Sequence, residues 1–149
     1  MESWKTRISR WIFNLYPAYR GTGARILYIS DDWREVRIKV PLNWRTRNYV
    51  GTIFGGSLYS AVDPMYMLML IKTLGSEYIV WDKSATIQFK RPGRKTLFAT
   101  FKVAEEETNS IIKELESQTS INRSYSVDLV DEKGSVCTTI EKVIYIRKK

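Results

Sequence analysis

The segment from Gly55 to Ile71 constrains this chain more than any other. It carries one charge, Asp63, and its apolar residues Leu58, Tyr59, Val62, Met65, Tyr66, Leu68, Met69 and Leu70 fall on nearly every side of a helix. A helix that is apolar all round must be buried on most sides. The segment is shorter than the ~20 residues a membrane-spanning helix needs, and Asp63-Pro64 lies at its middle. It is therefore expected inside protein rather than across a bilayer, with Gly75 closing it.

The surrounding chain supplies strands to cover such a helix. Val36, Ile38 and Val40 alternate with Glu35, Arg37 and Lys39, and Ala85, Ile87 and Phe89 alternate with Thr86, Gln88 and Lys90. This period of two marks half-buried strands. Ala24 to Ser30 pairs with the first of these across Ser30-Asp31-Asp32. Thr96 to Val103 follows the Arg91-Pro92-Gly93-Arg94 turn, and Ser124 to Val130 pairs with Val136 to Arg147. Ile111, Ile112 and Leu115 place a surface helix within Glu105 to Gln118. Near the start, Trp4, Ile8, Trp11, Ile12 and Leu15 make one helical stripe, capped by Ser3 and ended by Pro17. That stripe is expected to pack against the domain, with Gly21-Thr22-Gly23 as a flexible joint after it. No repeat or linker divides residues 1–149, so one α+β domain is expected, an antiparallel sheet around a long helix.

Composition removes several chemistries. The 149 residues include no histidine and one cysteine, Cys137. Serine–histidine and cysteine–histidine nucleophile systems are excluded, together with histidine-ligated zinc. No metal site is expected. A single cysteine forms no intrachain disulfide, which fits the cytoplasm, and no secretory signal is seen. The net charge of +8 attracts polyanions without choosing among them.

The chemistry concentrates in Asn48 to Asp63. Paired glycines, Gly55 and Gly56, let a ligand approach the backbone at a helix start. The first N–H groups there have no partner within the helix and carry the positive end of its dipole. Such donors suit an anion or a polarised carbonyl, including the oxyanion formed when a thioester is attacked. Asp63 follows Gly56 by seven residues. A carboxylate within an apolar helix is costly unless it is paired or functional.

This stretch resembles the Asn-x-x-Gly-x-x-His-Gly-Gly signature of hotdog-fold thioesterases of the phenylacetate-pathway type, whose central helix carries an acid at the same offset. Asn48, Gly51, Gly55, Gly56 and Asp63 match it, and Thr86 to Gly93 with Arg91-Pro92 resembles the strand and turn that follow. Over nearly its full length the chain is similar to a bacterial hotdog family known as a domain of unknown function. The residues that carry this likeness are Phe13 to Pro17, Arg20 to Gly23, Asn43-Trp44-Arg45 and Val80 to Lys83.

The resemblance implies a homodimer, or a pair of dimers, with sites at the interface and an acyl-coenzyme A or acyl-carrier thioester as substrate. No separate cofactor is implied, since coenzyme A is part of the substrate. Asp63 would act as general base or nucleophile, and the Gly56 N–H would polarise the carbonyl. Asn48, Gly51, Phe54 and Gly55 would line the substrate, and Lys90, Arg91 and Arg94 would contact its phosphates. Phe54 stands where the signature has histidine and cannot hydrogen-bond. Catalysis on Asp63 and the helix start, and a non-catalytic acyl-CoA or lipid binder with Met65, Met67 and Met69 in its pocket, both stay open. Trp33-Arg34 and Trp44-Arg45 could stack bases, but no nucleic-acid motif accompanies them and no nucleic-acid partner is expected.

Overall fold

The computed structural model describes all residues, Met1–Lys149. Two helices open the chain, α1 (Trp4–Leu15) and α2 (Pro17–Gly21). Strands β1 (Arg25–Ile29) and β2 (Glu35–Val40) follow, then α3 (Gly55–Val62), α4 (Met65–Leu74), β3 (Tyr78–Phe89), β4 (Leu97–Lys102), α5 (Glu105–Glu114), β5 (Ser120–Val130) and β6 (Val136–Lys148). The strands form one sheet in the order β1-β2-β4-β5-β6-β3, antiparallel at every pairing.

The inner face of that sheet carries Val36, Ile38, Val40, Leu97, Ala99, Phe101, Ile140, Ile144 and Ile146, all buried. Leu58, Ala61, Val62, Met65, Met69 and Leu70 from α3 and α4 join them in one core. The expected long helix is thus present, but in two pieces. Pro64 has no N–H to continue the ladder, and α3 ends at Asp63 with α4 restarting behind Pro64. No helix is long and apolar enough to cross a membrane. Met65 and Met69 are core residues, with Met67 packed against them.

Three local readings change. Strand β3 begins at Tyr78 rather than Ala85. A register shift between Asp82 and Ser84 interrupts its alternation, which hides the first half of the strand from a period-two reading. The joint at Gly21-Thr22-Gly23 is a helix end, because Pro17 starts α2 as well as stopping α1.

The third change is larger. Helix α1 forms as expected, and its cap is reciprocal: Ser3 Oγ accepts from the Thr6 N–H (3.2 Å) and Thr6 Oγ1 accepts from the Ser3 N–H (3.0 Å). Its apolar stripe, however, faces solvent instead of the domain; Trp4 is 69% exposed and Trp11 59%. Thr6 is the buried residue of the helix. Polar side chains hold α1 in place. Asn14 donates to the Ile26 carbonyl (2.9 Å) and accepts from the Ile26 N–H (2.8 Å). Glu2 pairs with Arg10 (2.8 Å).

Buried tyrosines bind the layers together. Tyr19 donates to the Ala61 carbonyl, Tyr66 to the Ser126 carbonyl, and Tyr125, stacked on Tyr66, to Glu107. Burial pushes the Tyr66 phenol up to about 12 and raises Tyr19 and Tyr125 as well, with the Glu107 hydrogen bond adding to the effect at Tyr125. An unfolded tyrosine ionises near 10, so the folded chain holds these protons more tightly. Their contribution to stability is complete below about pH 10 and is lost as pH rises through 12. Urea midpoints should therefore fall steeply above pH 10, and part of the tyrosinate absorbance should appear only on alkaline unfolding. Full titration of all nine tyrosines with native circular dichroism would contradict this.

Candidate functional site

The helix break holds an ion cluster. Lys142 lies on the inner face of β6, between Ile140 and Ile144, with its side chain only 1% exposed. Its Nζ donates to Asp63 Oδ1 (2.7 Å) and to the Asp63 backbone carbonyl (3.0 Å), and it lies 3.1 Å from Asp82 Oδ1 on β3. The Tyr59 hydroxyl also donates to Asp63 Oδ1 (2.9 Å), and the Tyr59 ring faces the ammonium at 5.5 Å. A buried ammonium needs such partners to offset its desolvation. Burial works against the charge, but the hydrogen bonds to Asp63 and Asp82 prevail and hold Lys142 above its ordinary value. Burial raises the Asp82 carboxyl despite that same ammonium.

Asp63 itself is 45% exposed. Its Oδ1 takes both side-chain hydrogen bonds, and Oδ2 takes none. The carboxylate borders an apolar cavity of about 300 Å³ between α1–α2 and the α3–α4 break, lined by Phe13, Tyr16, Tyr19, Ile26, Met65 and Leu68 among others. A carboxylate with one oxygen free of hydrogen bonds, on a residue that lines an apolar cavity, is placed to accept a hydrogen bond from water.

The glycine end is built differently. Gly51 has φ +85°, a turn requirement, and open space where a side chain would be. The polar atoms of Asn48 are spent on this turn. Its Oδ1 accepts from the Val50 and Thr52 N–H groups, and its Nδ2 donates to Thr52 Oγ1. Asn48 thus shapes the approach to the helix rather than offering a free group. The N–H groups of Gly55 and Gly56 make no hydrogen bond within the chain. Aromatic rings lie against both glycines. A Cβ on Gly55 would meet the Phe89 ring at 2.9 Å, and one on Gly56 would run into the Phe54 ring.

The Ile53 N–H donates to the Gly93 carbonyl (2.9 Å), tying the helix start to the Arg-Pro turn. Asn48, Gly55, Phe89, Lys90 and Arg91 consequently share a second cleft of about 390 Å³. Arg94 lies outside that cleft, exposed on the same turn. Asp63 lies outside it too. Seven residues at 1.5 Å each put it about 10 Å along the helix from Gly56. One chain therefore does not bring the acid and the Gly56 N–H to the same reacting atom. Trp33 packs edge-on against Phe13, while Trp44 stands in solvent beside Arg45.

The sequence matches the family described as a domain of unknown function, DUF4442, over residues 5–146. The chain belongs to the DUF4442 family. No curated protein matches it at significant similarity. Among solved structures, this DUF4442 chain is similar to a Pseudomonas aeruginosa protein of unknown function described as a probable thioesterase. That pair has a TM-score of 0.84 and 19% identity, over 97% of this chain and 96% of the other. It is also similar to a thioesterase from Haemophilus influenzae, with a TM-score of 0.71 and 12% identity over 99% and 93%. A Chlorobaculum tepidum protein of unknown function gives 0.74 and 15% over 97% and 94%. At such identities the likeness establishes the fold, and the fold is the hotdog.

Sequence reading of this DUF4442 chain passed over Lys142 and Asp82. The signal for Lys142 was present: Thr138, Ile140, Lys142, Ile144 and Ile146 recur every second residue, so the lysine sits in phase with the core. Asp82 was masked by the register shift next to it.

Proposed function

We propose that this thioesterase-like hotdog protein hydrolyses acyl thioesters, with coenzyme A or acyl carrier protein as the thiol, at sites shared between two copies. The observation that carries this reading is Asp63 in the lining of the 300 Å³ apolar cavity, with an Oδ2 that takes no hydrogen bond. A water beside Oδ2 gives its proton to Asp63 while its oxygen attacks the thioester carbonyl. The oxyanion that forms accepts a hydrogen bond from the Gly56 N–H. The C–S bond then breaks, and the thiolate takes the proton back from Asp63. Lys142 holds Asp63 in position through its hydrogen bonds to Oδ1 and to the backbone carbonyl.

Two features support the paired arrangement. Strand β3 is a twelve-residue edge strand, and a long open edge invites pairing with another strand. The reading requires a second copy joined there to supply the Gly56 N–H, which lies about 10 Å from Asp63 along the helix of one chain. Phosphates of the carrier would meet Lys90 and Arg91, with Arg94 on the rim. A dry cavity of about 150 Å³ holds a benzene, so 300 Å³ suits an acyl group on the order of eight to twelve carbons. Thiol release from acyl-CoAs of graded length, and from aromatic ones, tests the reading. Turnover peaking at medium chains is expected; none with any thioester would defeat hydrolysis.

A non-catalytic acyl-CoA binder is the second reading, favoured by the Phe54 ring over Gly56. That ring lies where a Gly56 side chain would stand and offers the thioester no hydrogen-bonding group. If hydrolysis is the function, Phe54→His should raise turnover about tenfold or more, by restoring a hydrogen-bonding group beside Gly56. A folded variant no faster than wild type would remove Phe54 as the limit.

A further inference from the structure

We propose that α1 is a membrane-docking helix that lays its apolar stripe on the surface of an anionic lipid bilayer. The claim stands apart from the thioesterase reading. An amphipathic helix in a globular protein ordinarily turns its apolar stripe inward. Helix α1 does the reverse. Trp4, Ile8, Trp11, Ile12 and Leu15 are all exposed, and Thr6 is buried on the side toward the domain. Asn14, through its pair of hydrogen bonds to Ile26, and Glu2 hold that inverted orientation. The stripe is therefore presented by design of the anchoring contacts, not left over from poor packing.

Charge identifies the occupant. Helix α1 contains no acidic residue. Through residue 25 the chain carries Lys5, Arg7, Arg10, Arg20 and Arg25 against the single carboxylate of Glu2. At 100° per residue, Lys5 and Arg7 fall on either side of the stripe. Arg10, Trp11, Asn14, Leu15, Arg20 and Arg25 enclose a cleft of about 310 Å³ at its edge. Glu2 pairs with Arg10 and Arg25 donates to the Ala24 carbonyl, while the Arg20 side chain makes no hydrogen bond to the protein. Guanidinium groups beside apolar side chains suit a phospholipid, with its phosphate in the cleft and its chains under the stripe. Tryptophans at the stripe favour the headgroup boundary. A second copy of this region would set an excess of four positive charges, five cations less Glu2, against the same excess, which disfavours self-association there.

Flotation of the full chain with vesicles tests this. One vesicle set is phosphatidylcholine with about a quarter phosphatidylglycerol, and the other is phosphatidylcholine alone. Wild type should float with the anionic set, bind the neutral set about tenfold more weakly, and lose binding as salt rises. The double variant Trp11→Asp, Leu15→Asp should remain at the bottom with both. Arg20→Glu should lose the preference for the anionic set. Both variants alter exposed groups and should keep native circular dichroism; if the double variant does not, Arg20→Glu decides alone. No flotation of wild type, or equal flotation of a folded variant, would overturn the proposal. So would a fall in oligomer size caused by the double variant, since the stripe would then join copies of the chain.

Discussion

Asp63→Asn should lower thioester hydrolysis by about 100- to 10,000-fold, the range lost with a positioned general base. The amide keeps the size of the carboxylate, and its Oδ1 still accepts from Tyr59 and Lys142. Its Nδ2 stands where the free oxygen was and cannot take a proton from water. The fold should survive, because Lys142 keeps Asp82 and the Asp63 backbone carbonyl as partners. The comparison requires thiol release with the best acyl-CoA of the graded series and a melting curve for each protein. Unchanged turnover in a folded variant would remove Asp63 from the chemistry. A variant that has lost turnover but binds the acyl-CoA as well as wild type would locate the effect in the reaction step.

Lys142→Met should cost about 3 kcal/mol of stability, near the low end for breaking a buried pair, because Asp63 is partly solvated. Methionine fills similar space but leaves the Asp63 and Asp82 carboxylates facing each other without a cation. The loss should depend on pH. Burial already raises Asp82 above its unfolded value, so its ionisation costs stability as pH rises through that raised value. The penalty in Lys142→Met should thus be largest near neutrality and shrink as Asp82 takes up a proton in acid. Adding Asp82→Asn should recover much of the loss at neutral pH, as measured by urea unfolding. A wild-type midpoint for the single variant would show that the ammonium holds nothing together.

The α+β architecture was legible because its two main requirements are local, while the hotdog itself was legible only through the resemblance carried by Asn48 to Asp63. A helix apolar all round demands a sheet, and Val36-Ile38-Val40 declares its strand by alternation alone. Lys142 was legible in principle, since alternation through Ile140 and Ile144 places it in the core, but its partners were not. Asp63 lies 79 residues away on the chain, and no local pattern reports a contact of that span. Helix α1 shows a different limit. Periodicity gives the face of a helix but not the direction in which tertiary contacts turn it; here two hydrogen bonds from Asn14 decide. Asn48 matched a motif by type, yet its hydrogen bonds serve the turn, a distinction that spacing does not contain.

The attachment of α1 also limits how the sheet can grow. Just before β1, the Ala24 N–H is taken by Thr22 and its carbonyl by Arg25; on β1, Asn14 takes both backbone groups of Ile26, and Glu2 accepts from the Ile29 N–H. A sheet open at both margins can add strands without end and grow into a filament. Here one margin is partly capped by the chain's own side chains. Pairing through the sheet is thereby directed toward β3, where two copies joined edge to edge would cover each other's open strand.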